Sequence, residues 1–129
     1  MADTMQGLKR THYCGDVIEA AIGSEVVVSG WVQRARNLGN LIFIDLRDRS
    51  GVVQLAFGDK TDREVFEKAA GVRGEYVLMA KGILRRRESV NQEIKTGEVE
   101  IEVTDLRVLA KSETPPFEIV ENTNVKEEL

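Results

Sequence analysis

Leu41-Ile-Phe-Ile-Asp-Leu-Arg-Asp-Arg-Ser-Gly-Val-Val-Gln-Leu-Ala-Phe57 reads as a β-hairpin, because apolar residues alternate with others on both sides of the turn Asp48-Arg-Ser-Gly51. A four-residue turn there sets Arg47 opposite Val52, and the remaining pairs follow one step at a time. Leu46 meets Val53, Ile44 meets Leu55 and Ile42 meets Phe57, an all-apolar face that belongs in a core. The opposite face sets Asp45 against Gln54 and Phe43 against Ala56, so Phe43 points away from that core. Two readings of Phe43 stand at this point: another element covers it, or it is a platform on which a flat ligand stacks.

Outward from the hairpin, three more strands are expected. With the first two they run over Glu25–Arg36, Leu41–Arg47, Val52–Phe57, Glu75–Arg85 and Glu98–Leu109. Between the third and fourth, the stretch from Thr61 to Ala70 predicts a short helix, with Thr61 as cap, Glu64 three residues on and Gly71 after its end. A second short helix is expected over Val17–Ala21, capped by Asp16 and stopped by Gly23. Three strands, a helix and two strands are the order of the OB-fold, a five-stranded Greek-key barrel, whereas SH3-type barrels lack that helix. The class is therefore mainly β, with residues 1–111 as the domain. Both prolines fall in Ser112-Glu-Thr-Pro-Pro-Phe117, so residues 112–129 read as a linker.

The chain has 129 residues, 42% of them apolar, enough for one domain and one core. No apolar run reaches membrane-spanning length and Met1–Arg10 holds no signal-peptide core, so a cytoplasmic location is expected. One cysteine, Cys14, permits no intrachain disulfide, and with a single His12 it cannot build a Cys/His zinc site. The net charge of −4 resides entirely in residues 112–129, where five glutamates face one lysine, leaving residues 1–111 balanced. Within that body the basic charge is clustered, at Arg34, Arg36, Arg47 and Arg49 and again at Lys81 and Arg85–Arg87. No nucleophile–base pair, Walker-type loop or dinucleotide fingerprint is present, so no catalytic residues are expected.

Several side chains carry two readings each. Arg34 and Arg36 share a strand face beside Phe43, as flanks of a platform or as a solvated strand end. Arg85-Arg-Arg87 places three like charges in sequence, a solvated loop or a phosphate site. In Glu98, Glu100 and Glu102, strand carboxylates keep a surface soluble, but one such group among arginines can also accept both Watson–Crick-edge donors of a guanine. Trp31, in mid-strand, reads as core, and His12 and Cys14 read as structural.

Gly30-Trp-Val-Gln-Arg-Ala-Arg-Asn-Leu-Gly39, then Leu41 to Arg49 and Gly51-Val-Val-Gln54, closely resemble the N-terminal anticodon-binding domain of bacterial-type aspartyl-tRNA synthetases. Arg10-Thr-His-Tyr-Cys-Gly15, Thr96-Gly-Glu-Val-Glu100 and Thr114-Pro-Pro-Phe117 are similar to that family too, and the likeness runs from about Lys9 onward. It implies that Phe43 stacks on the middle anticodon base, a uridine, that Arg36 and Gln54 read bases of the triplet, and that Arg34 serves the backbone or the same bases. Glu100 falls where the family reads the first base, a guanine or its modified form, and Asn91 with Arg87 where the loop approaches the third. One departure is Arg34-Ala-Arg36-Asn37, where the family commonly has three arginines and an aspartate.

The resemblance further implies a homodimeric class II aspartate–tRNA ligase as the parent, with ATP and Mg handled by a catalytic domain that would follow Leu129. The fragment itself is expected to be a monomer without cofactor, binding aspartate tRNA, with asparagine tRNA as a further candidate. Two other classes of function compete: a non-specific single-strand-binding OB domain, and a structural or protein-interaction domain in which Phe43 and the arginines are incidental.

Overall fold

The computed structural model describes residues 9–17, 21–88, 90–92 and 96–111. It contains five strands, β1 (Glu25–Asn37), β2 (Ile42–Asp48), β3 (Gly51–Phe57), β4 (Val77–Arg86) and β5 (Val99–Ala110), with helix α1 (Arg63–Ala70) between β3 and β4. They close into a barrel in the order β1-β2-β3-β5-β4, with β4 returning to β1. Only β3 and β5 run parallel; the other pairs are antiparallel. Together with the helix position, that is the OB-fold expected from the strand order.

The β2–β3 register is the one that the turn dictates, from Arg47 opposite Val52 to Ile42 opposite Phe57. Its apolar face lines the interior, where Ile42, Ile44, Leu46, Val53, Leu55 and Phe57 are each exposed by no more than 1%. Each such side chain, withdrawn fully from water, contributes about 1.5–3 kcal/mol. Gly30 sits where β1 crosses β2 at close quarters: a Cβ there would lie 2.2 Å from the Arg47 carbonyl oxygen. The Gly-Trp pair thus lets the two strands approach in a way no larger residue allows.

A bulge interrupts β1 between Val32 and Arg34 and sets which face its arginines take. Strict alternation from the buried Val32 would turn Arg34 and Arg36 into the barrel. The extra residue, Gln33, shifts the phase, so Arg34 pairs with Asp45 and Arg36 with Phe43 on the outer face.

Three local expectations are corrected. Helix α1 is capped by Asp62, whose carboxylate accepts from the Glu64 amide at 3.1 Å, rather than by Thr61. Thr61 Oγ1 instead accepts from the Gly58 amide at 2.8 Å and closes the turn before the helix. Trp31 lies half-buried on the outer face, outside the core, because the neighbouring Gly30 and Val32 take the inward positions. The N-terminal turn Cys14–Asp16 is a single 3-10 turn that contains Asp16, and Val17 is extended, so Asp16 does not cap a helix starting at Val17; Ala21 is again in a 3-10 turn, and Gly23 follows at φ +93 as the expected stop. Residues 18–20 of the expected Val17–Ala21 helix lie outside the described residues, as does the expected linker 112–129.

The early turn has a physical cause in the hairpin. Asp48 is inward-facing and only 9% exposed; its carboxylate accepts from the Cys14 amide at 2.8 Å, the Ser50 amide at 2.7 Å and the Ser50 hydroxyl at 2.5 Å. Ser50 Oγ in turn accepts from the Gly15 amide at 2.8 Å. Burial acts to raise the Asp48 pKa, but these donors outweigh it and hold the carboxyl below its ordinary value. Burial, then the adjacent Asp48 charge, pushes the Cys14 thiol far up, which makes it an inert packing group. Helix α1 covers one opening of the barrel through Ala69, Val65 and Phe66, leaving the outer face of β1, β2, β3 and β5 free for other work.

Candidate functional site

Strand register writes two rows of side chains across the outer surface. One row runs Arg34, Asp45, Gln54, Glu100 and Arg85; the next runs Arg36, Phe43, Ala56 and Glu102. Gln54 and Glu100 are 46 residues apart in sequence, and the parallel β3–β5 pairing makes them direct neighbours.

Hydrogen bonds join the rows into one chain. The Arg36 guanidinium donates to Gln54 Oε1 at 3.1 Å, the Gln54 amide donates to Glu100 Oε1 at 2.8 Å, and Arg85 Nε donates to Glu100 Oε2 at 2.7 Å. Arg85 also reaches Glu102 at 3.4 Å. Gln54 is therefore held in one amide orientation, its oxygen toward a cation and its nitrogen toward an anion. Each Glu100 oxygen has one partner and keeps a lone pair, so the carboxylate is fixed in place with acceptor capacity to spare. Gln54 and Glu100 are only 4% and 6% exposed although both stand on the outer face. Nearby, Thr96 Oγ1 donates to the Val52 carbonyl and the Arg87 amide donates to the Glu98 carbonyl at 3.0 Å, tying both ends of the β4–β5 connection to the barrel.

These groups line a cavity of about 370 Å³, with Phe43 and Leu41 as its apolar wall. The half-buried Phe43 is absent from the interior cluster, and the Arg36 guanidinium carbon stands 5.2 Å from its ring centroid. Leu41 is 41% exposed in the β1–β2 loop, where Gly39 adopts φ +93 and the Asn37 side chain accepts from the Gly39 amide at 2.9 Å. Arg87 lines the cavity too, and its Nε is buried without a hydrogen-bond partner. A buried guanidinium nitrogen with nothing to donate to is costly unless a ligand brings an acceptor.

Of the seven residues singled out from sequence, the cavity unites Arg36, Phe43, Gln54, Arg87 and Glu100. Arg34 is exposed at the far end of the Gln54–Glu100 row, beyond Asp45, and does not line it. Asn91 stands off as well: its backbone amide donates to the Gly97 carbonyl at 3.0 Å. In sequence Arg85 reads only as part of a cationic cluster; its place as the partner of Glu100 becomes visible only in the fold. Leu41 gave no signal at all, being one apolar residue at a strand end. Among the described residues, no group of three His, Cys, Asp or Glu side chains could hold a metal ion, and no helix is long and apolar enough to cross a membrane.

The site is thus a concave, cation-rimmed slot with one aromatic platform, one buried carboxylate and one orphaned donor, dimensions and chemistry that suit a splayed-out base. Known proteins agree. Over its whole length the chain is 49% identical to the aspartate–tRNA ligase of Agathobacter rectalis, and over 98% of it 50% identical to the aspartate–tRNA(Asp/Asn) ligase of Thermoanaerobacter pseudethanolicus. The match lies in the N-terminal region of these relatives, and the chain spans about a fifth of their length, 22% in each case. Among solved structures, asparaginyl-tRNA synthetase from Pyrococcus horikoshii superposes with a TM-score of 0.65 at 30% identity, covering 81% of this chain and 24% of that one. Residues 26–109, from the second residue of β1 nearly to the end of β5, match a family profile described as an OB-fold nucleic acid binding domain. With barrel, slot and profile coinciding on the same residues, the chain belongs to the tRNA anticodon family of OB-fold nucleic acid binding domains.

Proposed function

We propose that this domain holds the anticodon loop of aspartate tRNA for a longer, homodimeric aspartate–tRNA ligase, whose separate catalytic part uses ATP and Mg to attach the amino acid. In this reading the middle base, a uridine, stacks on Phe43 beside Arg36. Glu100 accepts the N1 and N2 donors of a guanine at the first position with the lone pairs that Gln54 and Arg85 leave free. Arg87 turns its orphaned Nε to an acceptor on the third nucleotide, with Asn91, tied to Gly97 by its backbone, close by in the same connection. Arg34, exposed at the rim, meets backbone phosphate.

The observation that carries this is the Arg36–Gln54–Glu100–Arg85 chain. A groove for any single strand needs stacking surfaces and diffuse positive charge; it gains nothing from a carboxylate held in place behind two donors, which repels phosphate. A carboxylate so placed pairs with a base that offers two donors, and guanine does. The domain is proposed to act as a monomer, since Ile22, Leu38, Leu41 and Val90 are its only exposed large apolar residues among those described.

The test is a titration of the 129-residue chain with four labelled RNAs: stem-loops carrying GUC, GUU and CUC, and an unstructured single strand. The GUC stem-loop binds most tightly, and CUC, lacking the first-position guanine, at least tenfold more weakly. The GUU arm measures tolerance for the asparagine anticodon at the third base. Equal affinity for all four overturns base reading and favours a general single-strand binder; no binding at low salt favours a structural domain.

A further inference from the structure

At the far end of β2 from the slot, a second aromatic residue is bracketed by cations. The Arg10 guanidinium carbon lies 4.1 Å from the centroid of the Tyr13 ring, and that of Arg49 lies 5.7 Å from it. Both arginines are exposed, and the ring is half-buried. No carboxylate among the described residues is within ion-pair distance of either arginine. The acid next to Arg49 in sequence, Asp48, faces inward with both oxygens engaged by Cys14 and Ser50.

Those two distances keep the guanidinium centres within roughly 10 Å of each other, about one Debye length at physiological salt, so they repel until an anion arrives. The tyrosine fixes both without neutralising either. Two guanidiniums set against one aromatic face and unpaired among the described residues suit a phosphodiester.

The location gives the phosphate a source. Along β2 the outward residues are Phe43, Asp45 and Arg47, with Arg49 next in the turn; across from them on β1 stand Arg36 and Arg34. Asp45 is the one acid in that strip. Six residues of strand separate Phe43 from Arg49, about 20 Å at 3.4 Å per residue. Along one strand of a stacked duplex the same distance holds about six phosphates. A base held on Phe43 therefore places stem nucleotides, rather than loop nucleotides, at Tyr13.

We infer that Arg10, Tyr13 and Arg49 form a second contact, for the phosphate backbone of the anticodon stem, at the end of a basic strip that starts at the base-reading slot. This rests on the reading of the slot as an anticodon site and extends it with a contact that carries affinity and no sequence information.

Arg10→Gln, Arg49→Gln and the double variant are titrated with a long-stem GUC stem-loop between 50 and 200 mM salt, alongside hydroxyl-radical footprinting. Each single change lowers the log–log salt slope by about 0.7–0.9, the amount for one phosphate. For the double variant, the affinity ratio to the unaltered chain then changes about tenfold across that salt range. The GUC-to-CUC preference stays the same, protection of the anticodon persists, and protection about six nucleotides away disappears. An unchanged slope and footprint in variants whose urea midpoints match the parent overturns the inference while leaving the slot intact. Loss of anticodon protection and of the GUC preference along with the slope also overturns it, because the arginines would then be acting on the slot. If the unaltered chain protects no nucleotides, the anticodon reading fails first, and this contact with it. The single variants keep the test open should the double variant fold poorly.

Discussion

Replacing Phe43 by alanine separates a packing role from a binding role by magnitude. A phenylalanine in the interior costs about 3–5 kcal/mol on truncation, through lost transfer energy and the cavity left behind. Phe43 is half-buried, faces Ala56 across the hairpin and has the Arg36 guanidinium carbon at 5.2 Å. Half of a full burial is worth about 1 kcal/mol and an exposed cation–π contact about 0.5–1 kcal/mol, so Phe43→Ala loses about 1–2 kcal/mol of stability. With a urea m-value near 2 kcal/mol per molar, the midpoint falls by about 0.5–1 M. Loss of the stacking platform removes about 1–3 kcal/mol of binding, a weakening of roughly 5- to 150-fold. Equilibrium urea unfolding by circular dichroism and fluorescence-anisotropy titration with the GUC stem-loop give both numbers from one preparation. A stability loss above 3 kcal/mol with affinity intact in the folded protein would return Phe43 to the core and refute the argument; intact stability with intact affinity would refute the platform.

Glu100→Gln sets an amide nitrogen against a donor, from Gln54, Arg85 or the incoming guanine, and flipping Gln54 only moves the conflict to Arg36. The GUC-to-CUC affinity ratio is expected to fall at least tenfold while CUC binding changes little, and equal weakening of both would show that the carboxylate is not reading the base. Gly30→Ala pushes a Cβ to 2.2 Å from the Arg47 carbonyl and forces β1 from β2, with an expected loss of about 3 kcal/mol in urea unfolding; a loss under 1 kcal/mol would disprove the close crossing. Asp48→Asn is expected to lose about 1–3 kcal/mol at pH 7, because one amide oxygen cannot serve three donors. The folded pKa of Asp48 is depressed, so its ionised form stabilises the fold above the unfolded value near 3.9 and that contribution is lost as pH falls through the folded value. The gap between Asp48→Asn and the parent therefore narrows below about pH 4, and urea midpoints at pH 7 and pH 3 that differ by the same amount would contradict this.

What the sequence made legible follows from how local each cause is. The β2–β3 register depends on one turn and a two-residue period, so every pair from Ile42–Phe57 to Arg47–Val52 could be written down in advance. The outward direction of Phe43 came with it. Arg34 and Arg36 reached the correct face for a reason invisible in the pattern: the bulge at Gln33 arises from strand coiling around a closed barrel, which alternation does not encode. Thr61 lost the cap to Asp62 because both are good capping residues one position apart, and the bond from the Gly58 amide to Thr61 Oγ1 decides between them. Trp31 misled because tryptophan's size suggests burial, whereas the small neighbours Gly30 and Val32 occupy the tight inward positions. The partnership of Arg85 with Glu100 needs the strand order of the closed barrel, which a linear reading supplies only after the fold is known.

If the slot reads an anticodon as proposed, the Arg85–Glu100 partnership sets how it discriminates. Exposed arginines along β1, β2 and the N-terminal turn attract any phosphate backbone, and their contribution weakens with salt and is blind to sequence. Glu100 works against that attraction, since an unpaired carboxylate in the slot would repel the same backbone. Arg85 and Gln54 resolve the conflict by neutralising and orienting it, so that the approaching RNA meets a polar edge with two free acceptor positions instead of a net negative charge. Burial at 6% exposure then raises what a mismatch costs, because a base without matching donors leaves the carboxylate's remaining lone pairs dry. On the proposed reading, affinity and selectivity are carried by different residues on one sheet: the first by cations spaced along the strand direction, the second by a hydrogen-bonded row running across it. The parallel β3–β5 pairing, peculiar to this barrel closure, is what lets the two directions intersect beside Phe43.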